Sequence, residues 1–258
     1  MTSTSISTNA NASKKIPVME IFGPTVQGEG ALTGQVSYFI RTGGCPYRCV
    51  WCDQMEAVDP KLIKKHATYM RQEEIIDKAA KILLRDGLPQ RIDAWMTLSG
   101  GDPLMWNLEK VVVAMISQGL KIAVETQGSF APEWLQYVDL ITCSPKPPSS
   151  KMNSKVDHDI IERYHHYYQA NIVLKVVIFD KDDLDFAQEL KERYNRTLFY
   201  LSVGTPTVED CPNDNALKKA VIKRYQWLAD EFLKRPQLWG SVISPQMHTF
   251  LYAREKGR

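Results

Sequence analysis

From residue 36 onward the chain alternates two hydrophobic periods. Short runs rich in β-branched and aromatic residues, at 36–41, 94–99, 121–126, 138–143, 173–179 and 198–203, predict strands. Between them, apolar residues recur at helical spacing. Ile75, Ala79, Ile82 and Leu83 share one face, which Gly87 should close, and Leu108, Val111, Val112, Met115 and Ile116 form the next, closed by Gly119. The same spacing returns at Ile160, Ile161, Tyr164 and Tyr168, at Leu184, Ala187, Leu190 and Tyr194, and at Leu217, Val221, Tyr225, Leu228 and Phe232. Repeated βα order predicts an α/β fold with parallel strands and crossover helices. Six such units without edge signals suggest a partial (β/α) barrel rather than a flat sheet. In either arrangement ligands bind where the strands end.

Composition narrows the picture. With 258 residues, 44% hydrophobic and 24% charged, one domain is the default. Residues 1–15 are mostly Ser, Thr, Asn and Ala with little to bury, so a disordered leader is expected there and a single domain over 16–258. The leader has the Ser/Thr-rich, acid-free character of a transit peptide but lacks the arginine of one. A formal charge of +2, from 32 basic and 30 acidic residues, gives no footprint for nucleic acid or a membrane surface. No apolar run reaches the ~18 residues of a membrane span, and no secretory signal core is present. A soluble cytoplasmic protein acting on a small molecule fits these numbers.

Five cysteines, three of them within eight residues, do not make a disulfide framework and suit a reducing compartment. Cys45, Cys49 and Cys52 follow the first predicted strand in a Cys-x3-Cys-x2-Cys loop opened by Gly43 and Gly44. Three thiolates so placed can hold three irons of a cubane and leave the fourth iron open to a ligand. Structural zinc is the rival, but it wants four ligands, and His66 stands fourteen residues beyond Cys52 in a lysine-rich stretch. Three packed core thiols would not need such close spacing. Cys143 and Cys211 lack cluster spacing and are expected to be bystanders.

Other strand ends carry polar groups. Ser99-Gly100-Gly101-Asp102-Pro103 is an ordinary turn by composition, though its glycines would let a ligand approach the backbone. Glu125-Thr126-Gln127-Gly128 and Ser144-Pro145-Lys146-Pro147-Pro148 end the next two strands, and Lys175 interrupts an apolar run as a rim or lumen residue or a snorkelling one. Ahead of the first of these strands, Gln27 and Glu29 can together read a guanidine-like edge, and Arg41 can grip a carboxylate.

The cysteine loop at a first strand's end resembles the radical S-adenosylmethionine superfamily. The segment 22–30, the Gly-Gly-x-Pro turn, Glu125-Thr126-Gln127-Gly128, 144–151, Leu174-Lys175-Val176-Val177 and Pro245-Gln246-Met247-His248-Thr249 together resemble the 7-carboxy-7-deazaguanine synthases. That resemblance implies a modified, incomplete (β/α) barrel of the radical SAM type, a homodimer, and a [4Fe-4S] cluster that cleaves S-adenosylmethionine. It implies conversion of 6-carboxy-5,6,7,8-tetrahydropterin to 7-carboxy-7-deazaguanine with loss of ammonia, beginning with hydrogen removal from C6. An electron donor such as flavodoxin or ferredoxin is implied as partner.

Carried over by position, Val26, Gln27, Gly28, Glu29, Arg41, Ser99 and His248 would contact substrate. Trp51, Asp53, Gly101, Asp102, Glu125, Ser144, Pro145 and Lys146 would contact the cofactor. Two departures stand out. Asp102 replaces a glutamate that grips the methionyl amino group. Gln54 replaces the hydroxyl residue through which the family binds Mg²⁺, so magnesium use is in doubt. A glycyl-radical activase, and a paralogue without turnover, are the competing expectations.

Overall fold

The computed structural model describes residues 14–85, 93–168, 170–206, 211–253 and 255. Most of the expected leader, Gly87 and the residues just before Cys211 lie outside these segments. All six predicted strands are present, as β2 (Val36–Thr42), β4 (Trp95–Gly100), β5 (Lys121–Thr126), β6 (Leu140–Cys143), β7 (Asn171–Ile178) and β8 (Leu198–Val203). The five predicted helices are α2 (Gln72–Arg85), α3 (Glu109–Ser117), α4 (His158–Tyr167), α5 (Lys181–Arg193) and α6 (Asp214–Leu233). Caps fix where several begin. The side chains of Asp157, Asp180 and Asn213 each accept a backbone N–H of the first turn of α4, α5 and α6.

Among the described residues the further strands and α-helices are β1 (Ile16–Val26), α1 (Pro60–His66), β3 (Thr68–Met70), β9 (Val242–Ile243) and α7 (Met247–Tyr252). The sheet runs β3-β1-β2-β4-β5-β6-β7-β8-β9 and does not close. From β2 to β9 every pairing is parallel, while β1 pairs antiparallel with β2 and β3 with β1. The expected incomplete barrel is therefore present, with an antiparallel edge added. β6 begins two residues later than expected because Val138 closes a 3₁₀ turn by donating to Leu135 O at 3.1 Å. Among the described residues no helix is long and apolar enough to cross a membrane.

Strand alternation splits the sheet into two unlike faces. Tyr38, Ile40, Met96, Leu98, Ile122, Val124, Ile141, Leu174, Val176, Phe199 and Leu201 face the helices in the main core. The opposite, inner face has its apolar cluster at its floor. There Ala123, Leu140 and Val173 pack with Leu32, bordered by Ala31, Trp95 and Tyr200. Ala31 and Leu32 belong to a loop, 27–35, pinched at its neck by Gln27 N to Gln35 O (2.8 Å) and Gly34 N to Gln27 O (2.9 Å). The loop plugs the bottom of the barrel. Toward the strand ends the inner face turns polar, through Arg41, Ser99, Glu125, Thr142, Lys175 and Ser202.

Candidate active site

The cysteine loop leaves β2 and is braced from two sides. On one side, Gly101 N donates to Thr42 O (2.9 Å) and Asp102 N to Gly44 O (2.6 Å). A Cβ on Gly101 would meet Gly44 O at 2.1 Å, and one on Gly100 would meet Thr42 O at 2.2 Å. The glycine pair thus admits the backbone at the root of the cysteine loop, a tighter use than the ligand approach expected of it. On the other side lies a strap, residues 147–155. Val50 N donates to Ser150 O (3.2 Å), Trp51 Nε1 to Ser149 Oγ (3.0 Å), Arg48 N to Met152 Sδ (3.4 Å), and the Tyr47 hydroxyl to Lys155 O. Asp183, buried at the start of α5, anchors the strap by accepting from Ser149 N at 2.9 Å.

All five cysteines are free thiols. Burial pushes the Cys45 and Cys49 thiols up and Cys52 to about 11, so in this setting they ionise only against added positive charge. Cys45 Sγ already accepts from Tyr47 N at 3.4 Å, a contact that favours a thiolate. Three poorly solvated thiols on one braced loop, with no disulfide between them, suit an iron–sulfur cluster. Among the described residues no three His, Cys, Asp or Glu side chains are gathered as for a single metal ion. A cubane spaces its thiolates more widely, because each binds a different iron.

At the floor, residues 27–29 rise from the plug into a network with β5, β7 and the C-terminal segment. Lys175 pairs with Glu29 Oε2, while Gln246 Nε2 donates to Glu29 Oε1 at 3.2 Å and His248 Nε2 lies 3.8 Å from it. Gln27 Nε2 donates to Glu125 Oε1 at 3.0 Å, and Gln27 Oε1 accepts from Gly28 N at 2.7 Å. Burial alone would raise the Glu29 carboxyl, but Lys175, with His248 and Gln246, holds it down to about 2. Lys175 is held above its ordinary value, burial opposing and Glu29 and Glu125 prevailing. Glu29 is therefore a carboxylate at any working pH. Gly28 serves this network sterically, since a Cβ there would stand 2.2 Å from His248 Nδ1.

The remaining expected residues distribute around these two centres. Trp51 packs on Phe179 with ring centroids 4.9 Å apart, Lys146 Nζ lies 5.9 Å over the Trp51 ring, and Lys146 donates to Ser144 Oγ at 3.2 Å. Pro145 is buried beside them and Asp53 is exposed at the loop's end. Asp102 is fully buried and turned inward, accepting from Leu104 N (3.0 Å) and Thr126 Oγ1 (3.2 Å). Burial raises its carboxyl to about 6. Ser99 is in register with Arg41 on the inner face, and Val26 ends β1 just before the plug.

Gln246 and the first residues of the strap stand inside motif segments of the sequence but without a role assigned there, and the buried Ser202 hydroxyl, which has no partner among the described residues, carried no signal. The Lys175 pairing was half visible, as a charge inside an apolar strand. Magnesium does not fit as the cluster does. Gln54 Oε1, the one hard oxygen its side chain offers, accepts from Arg41 Nη1 at 3.2 Å.

Residues 26–129 match a family described as a 4Fe-4S single cluster domain. The chain is similar to the 7-carboxy-7-deazaguanine synthase of Bacillus cereus, 38% identical over 94% of this chain and 99% of that protein. It is equally similar to that of Bacillus subtilis, 38% identical over 95% of this chain and 99% of its relative. The crystal structure of QueE from Escherichia coli shares the fold, with a TM-score of 0.57 and 21% identity over 81% of this chain and 89% of that one.

Proposed function

The chain belongs to the 7-carboxy-7-deazaguanine synthase family, and from that premise we propose how its own residues carry the reaction. It is a radical S-adenosylmethionine lyase of 7-deazapurine biosynthesis, converting 6-carboxy-5,6,7,8-tetrahydropterin to 7-carboxy-7-deazaguanine with loss of ammonia. Cys45, Cys49 and Cys52 hold the [4Fe-4S] cluster, which with S-adenosylmethionine bound supplies the 5'-deoxyadenosyl radical that no side chain could provide.

The observation that carries the site assignment is the buried network of Glu29, Lys175, Gln246 and His248 on the barrel floor, facing the rim that bears the cysteines. Glu29, kept ionised by Lys175, accepts the N–H donors of the pterin's amino-pyrimidinone edge, and Gln27 offers one amide to the same edge. Arg41 takes the carboxylate, with Ser99 beside it; Gly28 and Val26 shape the wall, and His248 closes it. Trp51, Asp53, Gly101, Asp102, Ser144, Pro145 and Lys146 hold the cofactor at the rim. Glu125, in contact with Gln27, links rim and floor. Holding the ring between a fixed floor and a fixed radical source confines the reaction to one face of the substrate and keeps water from the intermediate.

Residues 16–258 act as one domain and the protein works as a homodimer, as the family pattern suggests. Free thiols support a reducing, cytoplasmic setting. The electron comes from a small carrier such as flavodoxin or ferredoxin. Anaerobic reconstitution with iron and sulfide, followed by S-adenosylmethionine, dithionite and the carboxypterin, should yield the deazapurine acid. Release of 5'-deoxyadenosine without that product would overturn the substrate reading. No 5'-deoxyadenosine at all would favour a paralogue without turnover.

A further inference from the structure

Gln54 is one of the two positions at which this chain departs from the family pattern, and its surroundings show what the departure does. Arg41 Nη1 lies 3.2 Å from Gln54 Oε1 and 3.2 Å from Glu20 Oε1. Its guanidinium carbon sits 5.3 Å from the centroid of Phe22 and 5.9 Å from that of Phe39. Those rings are stacked on each other at 5.0 Å with planes 6° apart, because Phe22 and Phe39 are register partners in the β1–β2 pair. The side chain is 27% exposed, so the cation is partly desolvated and held by an amide, a carboxylate and two rings.

A magnesium ion here would need the same Gln54 oxygen, at the short distance octahedral coordination demands, and would stand against a guanidinium already bound to it. A guanidinium has five N–H donors in a planar fork, and Nη1 alone serves Glu20 and Gln54. The rest of the fork matches a planar carboxylate, which is the group a dication would otherwise neutralise. We infer that in this chain Arg41, positioned by Gln54, replaces the magnesium ion at the substrate carboxylate. The inference rests on the pterin reading above.

Binding to the anaerobic, cluster-loaded enzyme with S-adenosylmethionine and no reductant tests it without turnover. Two ligands are compared, 6-carboxytetrahydropterin and the same pterin lacking the carboxylate, each with millimolar magnesium or with chelator. The Kd of the carboxylated ligand should be unchanged by chelation. Weakening by about tenfold or more on chelation overturns the proposal. Loss of a charge-assisted contact to the carboxylate should weaken that ligand about ten- to hundredfold in Arg41→Met, and by a smaller factor in Gln54→Ala. Neither variant should alter binding of the uncarboxylated pterin, whereas a merely structural defect would weaken both ligands alike and count against the assignment. If Gln54→Thr still binds carboxypterin independently of magnesium, Gln54 is not what excludes the ion and the inference fails. If the wild-type enzyme binds neither pterin, the substrate reading itself falls.

Discussion

Lys175→Met removes one charge of a pair that lies inside the barrel, and the consequence follows from what remains. The Glu29 and Lys175 side chains are 19% and 10% exposed, so water screens them little. Glu29 stands at about 2 against an ordinary 4.5. At 1.36 kcal/mol per pH unit that difference corresponds to ~3 kcal/mol of stability. Because the folded value is depressed, this contribution is fully present above pH 4.5 and drains away as pH falls toward 2. At the alkaline end the pair persists past 10.5, since Lys175 is shifted upward.

In Lys175→Met the dominant influence left on Glu29 is burial, so its carboxyl should move above the ordinary value and the pH dependence should invert, with stability falling as pH rises from 4.5 through that raised value. Stranding a buried charge costs ~3–5 kcal/mol. Anaerobic urea unfolding at pH 7.5, followed by intrinsic fluorescence, reads this directly. Glu29→Gln combined with Lys175→Met should recover at least half of the loss, because both charges are then gone. A single-variant loss below ~1 kcal/mol, or strict additivity in the double variant, would refute a strongly coupled buried pair.

The other expectations are briefer. Alanine at Cys45, Cys49 or Cys52 should abolish iron content and the charge-transfer absorbance, while alanine at the buried Cys143 or Cys211 should leave both intact. Gly28→Ala drives a methyl into His248 and should weaken pterin binding by about tenfold with iron content unchanged. Gly101→Ala collides with the Gly44 carbonyl oxygen, so it should destabilise by more than ~2 kcal/mol and impair cluster loading. Asp102 behaves oppositely to Glu29. Its carboxyl is raised to about 6, so its favourable contribution exists below pH 3.8 and is lost as pH rises through 6. Asp102→Asn should therefore be more stable than wild type at pH 7.5 by ~2–3 kcal/mol in the absence of S-adenosylmethionine, measured by the same unfolding assay, and should bind that cofactor less well.

What the sequence disclosed depended on how strongly each element commits its side chains. The six core strands and five long helices carry unbroken periods, and all of them were legible. β1 is not among the predicted strands, because Glu20 and the Gly23-Pro24 pair interrupt its apolar run, and its pairing with β2 shifts register twice. α1 buries only Ile63 among lysines, and β9 has two residues, so neither offers a period to detect. The site residues on strand ends were visible through motif and position. Gln246 and the strap's first residues stood inside motif segments too, but their roles were not legible, because what gives them a role is contact with segments far away in the chain, Glu29 for the one and the cysteine loop for the other.

The plug at residues 27–35 is closed on itself at its neck and held to the barrel by its apolar tip, by the pairings of Gln27 with Glu125 and of Glu29 with Lys175 and Gln246, and by Gly30 N donating to Ser244 Oγ, while the strands around it hold their shape through the helix-facing core. Reading of the ring edge by Gln27 and Glu29 and radical generation are thereby written on different pieces of chain, whereas Arg41 and Ser99 share strands with the cysteine-bearing rim. Altering the length or tip of this insert should shift Gln27 and Glu29 while leaving in place the hydrogen bonds that brace the cysteine loop, none of which involves residues 27–35. A scaffold divided in this way is a natural starting point for evolving or engineering new heterocycle specificities, since the half that is hardest to rebuild can be left alone.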